Sequence, residues 1–115
     1  MSNADIRREK RYPYPLETRL TTGKKTVETK TRDVSFNGVF VFSDLLAKLR
    51  QLVRLDMDLP WQEVTLTVHA MVVHLEEADS ESGVGLQFFG VGKSGRETWN
   101  RFVDQVRQGV AERDP

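Results

Sequence analysis

The alternation of apolar and polar residues predicts strands over most of this chain. Apolar side chains recur at every second position in 53–59 and 64–75, as expected for strands with one buried face. Shorter segments with β-branched or apolar residues and flanking turn formers predict four more strands, at 16–22, 26–32, 39–42 and 83–89. We therefore expect about six antiparallel strands joined by short turns.

The clearest helical period lies near the C-terminus. The apolar residues that share its spacing are Trp99, Phe102, Val103, Val106 and Val110. Ser94 and Glu97 fit a capping box at the start of this helix. Segment 43–52 also has leucines at helical spacing, and the sequence leaves helix and loop open there. The predicted fold is mainly β: a small barrel plugged or flanked by a C-terminal α-helix.

Length and composition predict a single domain. A chain of 115 residues with 38% hydrophobic content has too little apolar area for a second core. We expect a flexible N-terminal arm at 1–11 and the barrel with its helix at 12–110. The prolines at 13 and 15 hold the junction extended. No stretch approaches the roughly 20 apolar residues of a membrane span, and a signal-peptide core is missing, so we expect no membrane insertion and a cytoplasmic location.

Charge is unevenly distributed along the chain. Residues 1–32 hold nine Lys or Arg against four acids, whereas residues 33–115 hold eight against thirteen. A nucleic-acid polymer normally requires a basic surface across the whole domain, so we expect no such partner. A local anion site near the N-terminus is compatible with this distribution.

The sequence offers little for catalysis. The absence of Cys excludes thiol chemistry and zinc ribbons. His69 and His74 lie five residues apart in one strand, on opposite faces unless a bulge intervenes. There is no nucleophile elbow and no phosphate-cradling glycine motif. We therefore predict no enzyme activity, no metal and no cofactor.

Two short segments have chemistry suited to a guanine nucleotide. Arg7, Arg8 and Arg11 precede the first strand, and guanidinium groups bind phosphate oxygens and the O6/N7 edge of guanine. In the second segment, Asp33 can accept from guanine N1–H and N2–H₂, and Ser35 can donate to a phosphate or ribose. Taken separately, the first segment is typical of a solvated tail and the second of a hairpin turn.

Together these segments resemble the PilZ domain, a bacterial receptor for the second messenger cyclic di-GMP. Arg7 and Arg11 match its RxxxR motif, with Arg8 between them, and residues 33–38 match its DxSxxG motif in full. The segments 53–60 and 85–88 are also similar to later PilZ strands, so the resemblance extends over roughly residues 6–108. It implies a six-stranded antiparallel barrel with the arm folded over one side.

The resemblance also implies residue roles. Arg7 and Arg11 would hold phosphates and guanine edges, Asp33 and Ser35 would bind a guanine and its neighbouring phosphate, and Gly38 would shape the loop. PilZ domains often have a base-stacking residue near the end of the strand predicted at 64–75. His74 is near that place, but alternation puts it on the buried face, so we leave it out of the site.

The predicted function is a non-catalytic cyclic di-GMP receptor. The arm would become ordered over the barrel on binding and so regulate a downstream protein partner. An apolar residue before RxxxR tends to accompany one bound nucleotide in this family, and Ile6 favours that stoichiometry. One alternative is a PilZ-fold adaptor that binds only protein. Another is a barrel for single-stranded nucleic acid, which the acidic balance of residues 33–115 disfavours.

Overall fold

Seven strands and one helix make up the part of the chain that this computed structural model describes, residues 10–43, 48–76 and 82–113. The strands are β1 (Tyr12–Pro13), β2 (Glu17–Thr22), β3 (Lys25–Ser35), β4 (Gly38–Phe42), β5 (Leu52–Leu59), β6 (Val64–Glu76) and β7 (Gly83–Gly90), and the helix is α1 (Lys93–Arg113). Residues 1–9 of the predicted arm at 1–11, with Arg7 and Arg8, lie outside the described residues.

Six of these strands close into an antiparallel barrel. The order around it is β3, β2, β5, β6, β7 and β4, and the pairing of β3 with β4 closes the ring. The two-residue strand β1 pairs with the end of β3, where Pro13 lies opposite Asp33. Strand β1 therefore holds the residues that follow the predicted arm, and it holds them against β3.

The core fills the barrel and extends under the helix. Alternate residues of β5 point inward, among them Leu55 and Met57, which are fully buried. The side chains of Trp99 and Phe102 on α1 are equally buried. Trp99 contacts the end of β3 and Thr98 O accepts from Gln62, in the turn after β5, so the helix lies over the end of the barrel where both strands finish.

Most predicted elements are confirmed, with differences at their ends. The helix begins at Lys93, and Arg96 N–H donates to Gly92 O, so Gly92 and not Ser94 precedes the first turn. Leu52, which the sequence left between helix and loop, begins β5. Residues 48–51 form a turn, and residues 44–47 lie outside the described part of the chain.

Three register shifts interrupt the pairing of the described strands, and the extra residues are Arg32 in β3, Val73 in β6 and Phe89 in β7. The first two change the faces that alternation predicts. Each extra residue reverses the pattern beyond it, because side chains alternate strictly only in an unbroken strand. His74 is consequently 59% exposed, and its expected place on the buried face is wrong.

An ion pair between β2 and β5 predicts a specific pH dependence. Arg19 donates two hydrogen bonds to Asp58, at 2.9 and 3.2 Å, and Thr65 donates a third at 2.8 Å. The bonds from Arg19, and then the one from Thr65, lower the pKa of Asp58. A carboxyl with a lowered folded-state pKa stabilises the fold above its unfolded pKa of about 3.9, and this contribution disappears as pH falls through the folded-state pKa.

We therefore expect Asp58→Asn to lower the free energy of unfolding at neutral pH by less than about 1 kcal/mol. The effect is small because the Arg19–Asp58 ion pair is partly exposed. Urea unfolding of both proteins measures this difference, which should shrink below about pH 4. A difference that stays constant through the acid range would contradict the assignment.

Candidate ligand-binding site

The turn between β3 and β4 contains the predicted DxSxxG residues. Ser35 and Gly38 are paired across the turn, and Ser35 Oγ donates to Gly38 O at 3.1 Å. A Cβ on Gly38 would lie 2.2 Å from Leu86 O on β7. Gly38 is therefore needed for the close approach of β4 to β7, a packing reason that the sequence did not reveal.

The helix holds this turn through its backbone. The indole Nε1 of Trp99 donates to Ser35 O at 2.9 Å, and the Arg96 guanidinium donates to Phe36 O at 2.5 Å. Both acceptors are backbone carbonyls, so the bonds do not depend on the identity of the turn's side chains. The path of the turn is thus fixed from the side of the helix.

The structure brings together two of the predicted site residues, one from each motif. Arg11 Nη1 donates to Asp33 Oδ1 at 2.9 Å. The Asp33 side chain is only 11% exposed, whereas the Arg11 side chain is 45% exposed. The pairing of Pro13 with Asp33 explains the contact, because it places the chain just before β1 beside the carboxylate.

Arg32 is a third charged residue of this surface, and sequence reasoning missed it. Its Nε donates to Asp33 Oδ2 at 3.0 Å, and its Nη1 donates to Glu76 Oε1 at 2.8 Å. Burial lowers the pKa of Arg32, but the hydrogen bonds to Asp33 and Glu76 outweigh it and raise the pKa above its usual value. Consecutive strand residues normally face opposite sides, and the bulge at Arg32 is what lets it reach its neighbour's carboxylate.

An aromatic ring lies beneath the Arg32 guanidinium. Its carbon Cζ is 3.7 Å from the centroid of Phe40, and the Phe40 and His74 ring centroids are 6.4 Å apart. A Cβ on Gly83 would lie 2.3 Å from the Phe40 ring, so this glycine lets the ring lie low on β7. We call this surface the outer-face cluster: it consists of Arg11, Arg32, Asp33, Phe40, His74 and Glu76.

The outer-face cluster combines cations with a planar surface. Guanidinium groups bind phosphate oxygens in bidentate fashion and stack on flat π systems, which suits an anionic aromatic ligand. Within 10–43, 48–76 and 82–113, no group of three or more carboxylate or imidazole side chains could hold a metal ion. The helix in these residues is not long and apolar enough to cross a membrane.

Sequence comparison matches the PilZ domain to residues 5–105 of the chain. The chain belongs to the PilZ domain family. The matched range covers both segments that carry the resemblance, including Arg7 and Arg8. Membership of the family, expected from the two motifs, is confirmed. A search of curated proteins finds no match to this PilZ domain.

Solved structures of low sequence identity share the fold. The PilZ domain of Escherichia coli YcgR with cyclic di-GMP has a TM-score of 0.73 at 12% identity, over 92% of this PilZ domain and 95% of that chain. Bacillus subtilis MotI/DgrA, an inhibitor of motility, gives 0.73 at 16% identity over 96% of this chain. For K. pneumonia MrkH the TM-score is 0.74 at 12% identity, over 94% of this chain. This chain spans only 53% of the MotI chain and 51% of the MrkH chain.

These likenesses confirm the predicted architecture, a six-stranded antiparallel barrel followed by one helix. The binding roles of the predicted site residues stay predictions.

Proposed function

We propose that this PilZ domain is a non-catalytic receptor for cyclic di-GMP. The observation that carries the proposal is the Arg11–Asp33 ion pair, at 2.9 Å, which joins one residue of each motif on one surface. The proposed ligand-binding residues are Arg7, Arg8, Arg11, Asp33, Ser35 and Gly38. The solved complex of the YcgR PilZ domain with cyclic di-GMP supports the choice of ligand.

The ligand would replace bonds that the protein makes with itself. Arg11 and Arg32 both donate to Asp33, so the carboxylate is neutralised without a ligand. Phosphate oxygens of cyclic di-GMP offer the Arg11 guanidinium an alternative acceptor, and guanine N1–H and N2–H₂ can donate to Asp33 Oδ1 in its place, while Arg32 keeps its bond to Asp33 Oδ2. This exchange keeps Arg11 and Asp33 hydrogen-bonded in both states.

Ligand binding would also change the surface that the protein presents to a partner. Binding would order the arm, residues 1–11, across the barrel and present a new surface to a downstream protein partner in the bacterial cytoplasm. Ile6, the apolar residue that precedes the RxxxR motif, supports one bound nucleotide per site.

Calorimetric titration of the purified protein with cyclic di-GMP tests the proposal, with GTP and cyclic di-AMP as controls. We expect selective binding with one nucleotide per chain. In the complex, backbone amides of residues 1–11 should gain protection from hydrogen exchange. No binding by the folded protein at several temperatures would overturn the receptor function.

A protein-binding adaptor is the second candidate. Leu52 and Phe89 are each 60% exposed, and Leu52 lies opposite the partly buried Met71 on the outer face of β5 and β6. A contiguous group of exposed apolar side chains is typical of a protein contact surface. An absence of nucleotide binding in the titration above would favour the adaptor over the receptor.

A further inference from the structure

The Arg32 guanidinium belongs to neither motif, yet it is the most completely organised cation of the outer-face cluster. It stacks on Phe40 and makes ion pairs with carboxylates from two strands. We propose that Arg32, supported by Phe40, is the platform on which a guanine base of the ligand stacks. The inference rests on the proposed cyclic di-GMP receptor function and adds a base-binding residue to it.

The Arg32 guanidinium has one covered face and one open face. A guanidinium is planar and has two faces, and a distance of 3.7 Å to the Phe40 centroid means that one face is covered by the ring. The Arg32 side chain is nevertheless 43% exposed. The face away from Phe40 is therefore open to a planar ligand, and purine bases stack on arginine in this way.

The Arg32 guanidinium is held in place before any ligand binds. Nε is bonded to Asp33 and Nη1 to Glu76, so the plane is fixed at two points that lie on different strands. Two of the five N–H donors of the guanidinium are used in these bonds. A platform that is already ordered loses little side-chain freedom on binding, which favours affinity.

The sheet beneath Arg32 and Phe40 lacks side chains at two neighbouring positions. Gly83 and Gly85 are buried and leave β7 without side chains at two positions of one face. A Cβ on Gly83 would strike the Phe40 ring, and one on Gly85 would lie 3.1 Å from the Cβ of His74. The two glycines thus allow both rings to lie close to the sheet. Arg32 covers the Phe40 ring from above, so a base would lie on the outer face of the guanidinium.

Charge and stacking can be separated by substitution. Arg32→Lys keeps the positive charge beside Asp33 and Glu76 but removes the planar face. If the guanidinium stacks on a base, Arg32→Lys should weaken cyclic di-GMP binding about tenfold in calorimetric titration, and Arg32→Ala should weaken it at least as much. Melting temperatures measured by circular dichroism show whether both variants remain folded.

Arg54→Lys is the matched control. Arg54 is also an exposed strand arginine, with Nε 3.2 Å from Asp56 Oδ2, but it lies on β5, outside the outer-face cluster. The Arg54→Lys variant should bind cyclic di-GMP as tightly as wild type does.

The outcomes separate the inference from the function on which it rests. Loss of affinity in both Arg32 variants with no loss in Arg54→Lys supports the platform. Wild-type affinity in Arg32→Lys overturns it and leaves the receptor function standing, whether or not Arg32→Ala binds. An absence of binding by wild type overturns both.

Discussion

Asp33→Ala should weaken cyclic di-GMP binding by at least about a hundredfold, the largest effect expected from any single change in the outer-face cluster. Its carboxylate accepts hydrogen bonds from two guanidiniums, Arg11 at 2.9 Å and Arg32 at 3.0 Å. Removing it leaves both cations without their common anchor and takes away the proposed acceptor for the guanine edge. Arg11→Ala should lose one charge-assisted bond and weaken binding less, by about ten- to a hundredfold.

Titration calorimetry measures both affinities, and Asp104→Ala is the control. Asp104 is also an aspartate in an ion pair with an arginine, Arg107, but it lies on α1, away from the outer-face cluster. Circular dichroism should show all three variants folded. Asp33→Ala binding as tightly as wild type would show that the DxSxxG carboxylate has no part in the site.

Trp99→Ala should lower the free energy of unfolding by about 3–5 kcal/mol. The side chain is fully buried, and its ring centroid lies 5.2 Å from that of Phe88 and 5.4 Å from that of Phe102. Its removal leaves a large cavity between the helix and the barrel, and it also leaves Ser35 O without the indole donor. Such a loss is a large part of the roughly 5–15 kcal/mol that stabilises a typical domain.

Chemical denaturation followed by circular dichroism measures this loss. Trp99→Phe separates its two causes, because phenylalanine keeps much of the ring packing but cannot donate to Ser35 O; we expect it to cost about 1–3 kcal/mol. Trp61→Phe, at a ring that is 44% exposed, should cost less than either. If Trp99→Ala were no more harmful than Trp61→Phe, the role of Trp99 as the link between helix and turn would be wrong.

The sequence predicted the architecture because burial imposes a period on it. Strand β5 buries every second side chain, from Val53 to Leu59, and the helix buries Trp99 and Phe102 at helical spacing. The sequence could also identify Arg11 and Asp33, because each belongs to a motif whose residues lie close together along the chain. Their contact is produced by the pairing of β1 with β3, which no local pattern specifies.

The bulges explain what the sequence could not predict. A bulge adds one residue without a distinctive composition, so alternation placed His74 in the core and gave no reason to group Arg32 with Asp33. Gly38 presented a related difficulty. A glycine in a turn indicates backbone freedom, whereas the contact that requires it comes from Leu86 on a strand far along the chain.

The bond from the Trp99 indole to Ser35 O has a practical consequence for detecting a ligand. Indole emission responds to changes in hydrogen bonding and polarity at the ring, and this indole is bonded to the last residue of β3, two positions after Asp33. The only other tryptophan of the chain is Trp61. A Trp61→Phe protein would therefore contain a single tryptophan, hydrogen-bonded to the backbone of the binding turn, and its indole emission, excited selectively over that of the two tyrosines, would report occupancy without a label.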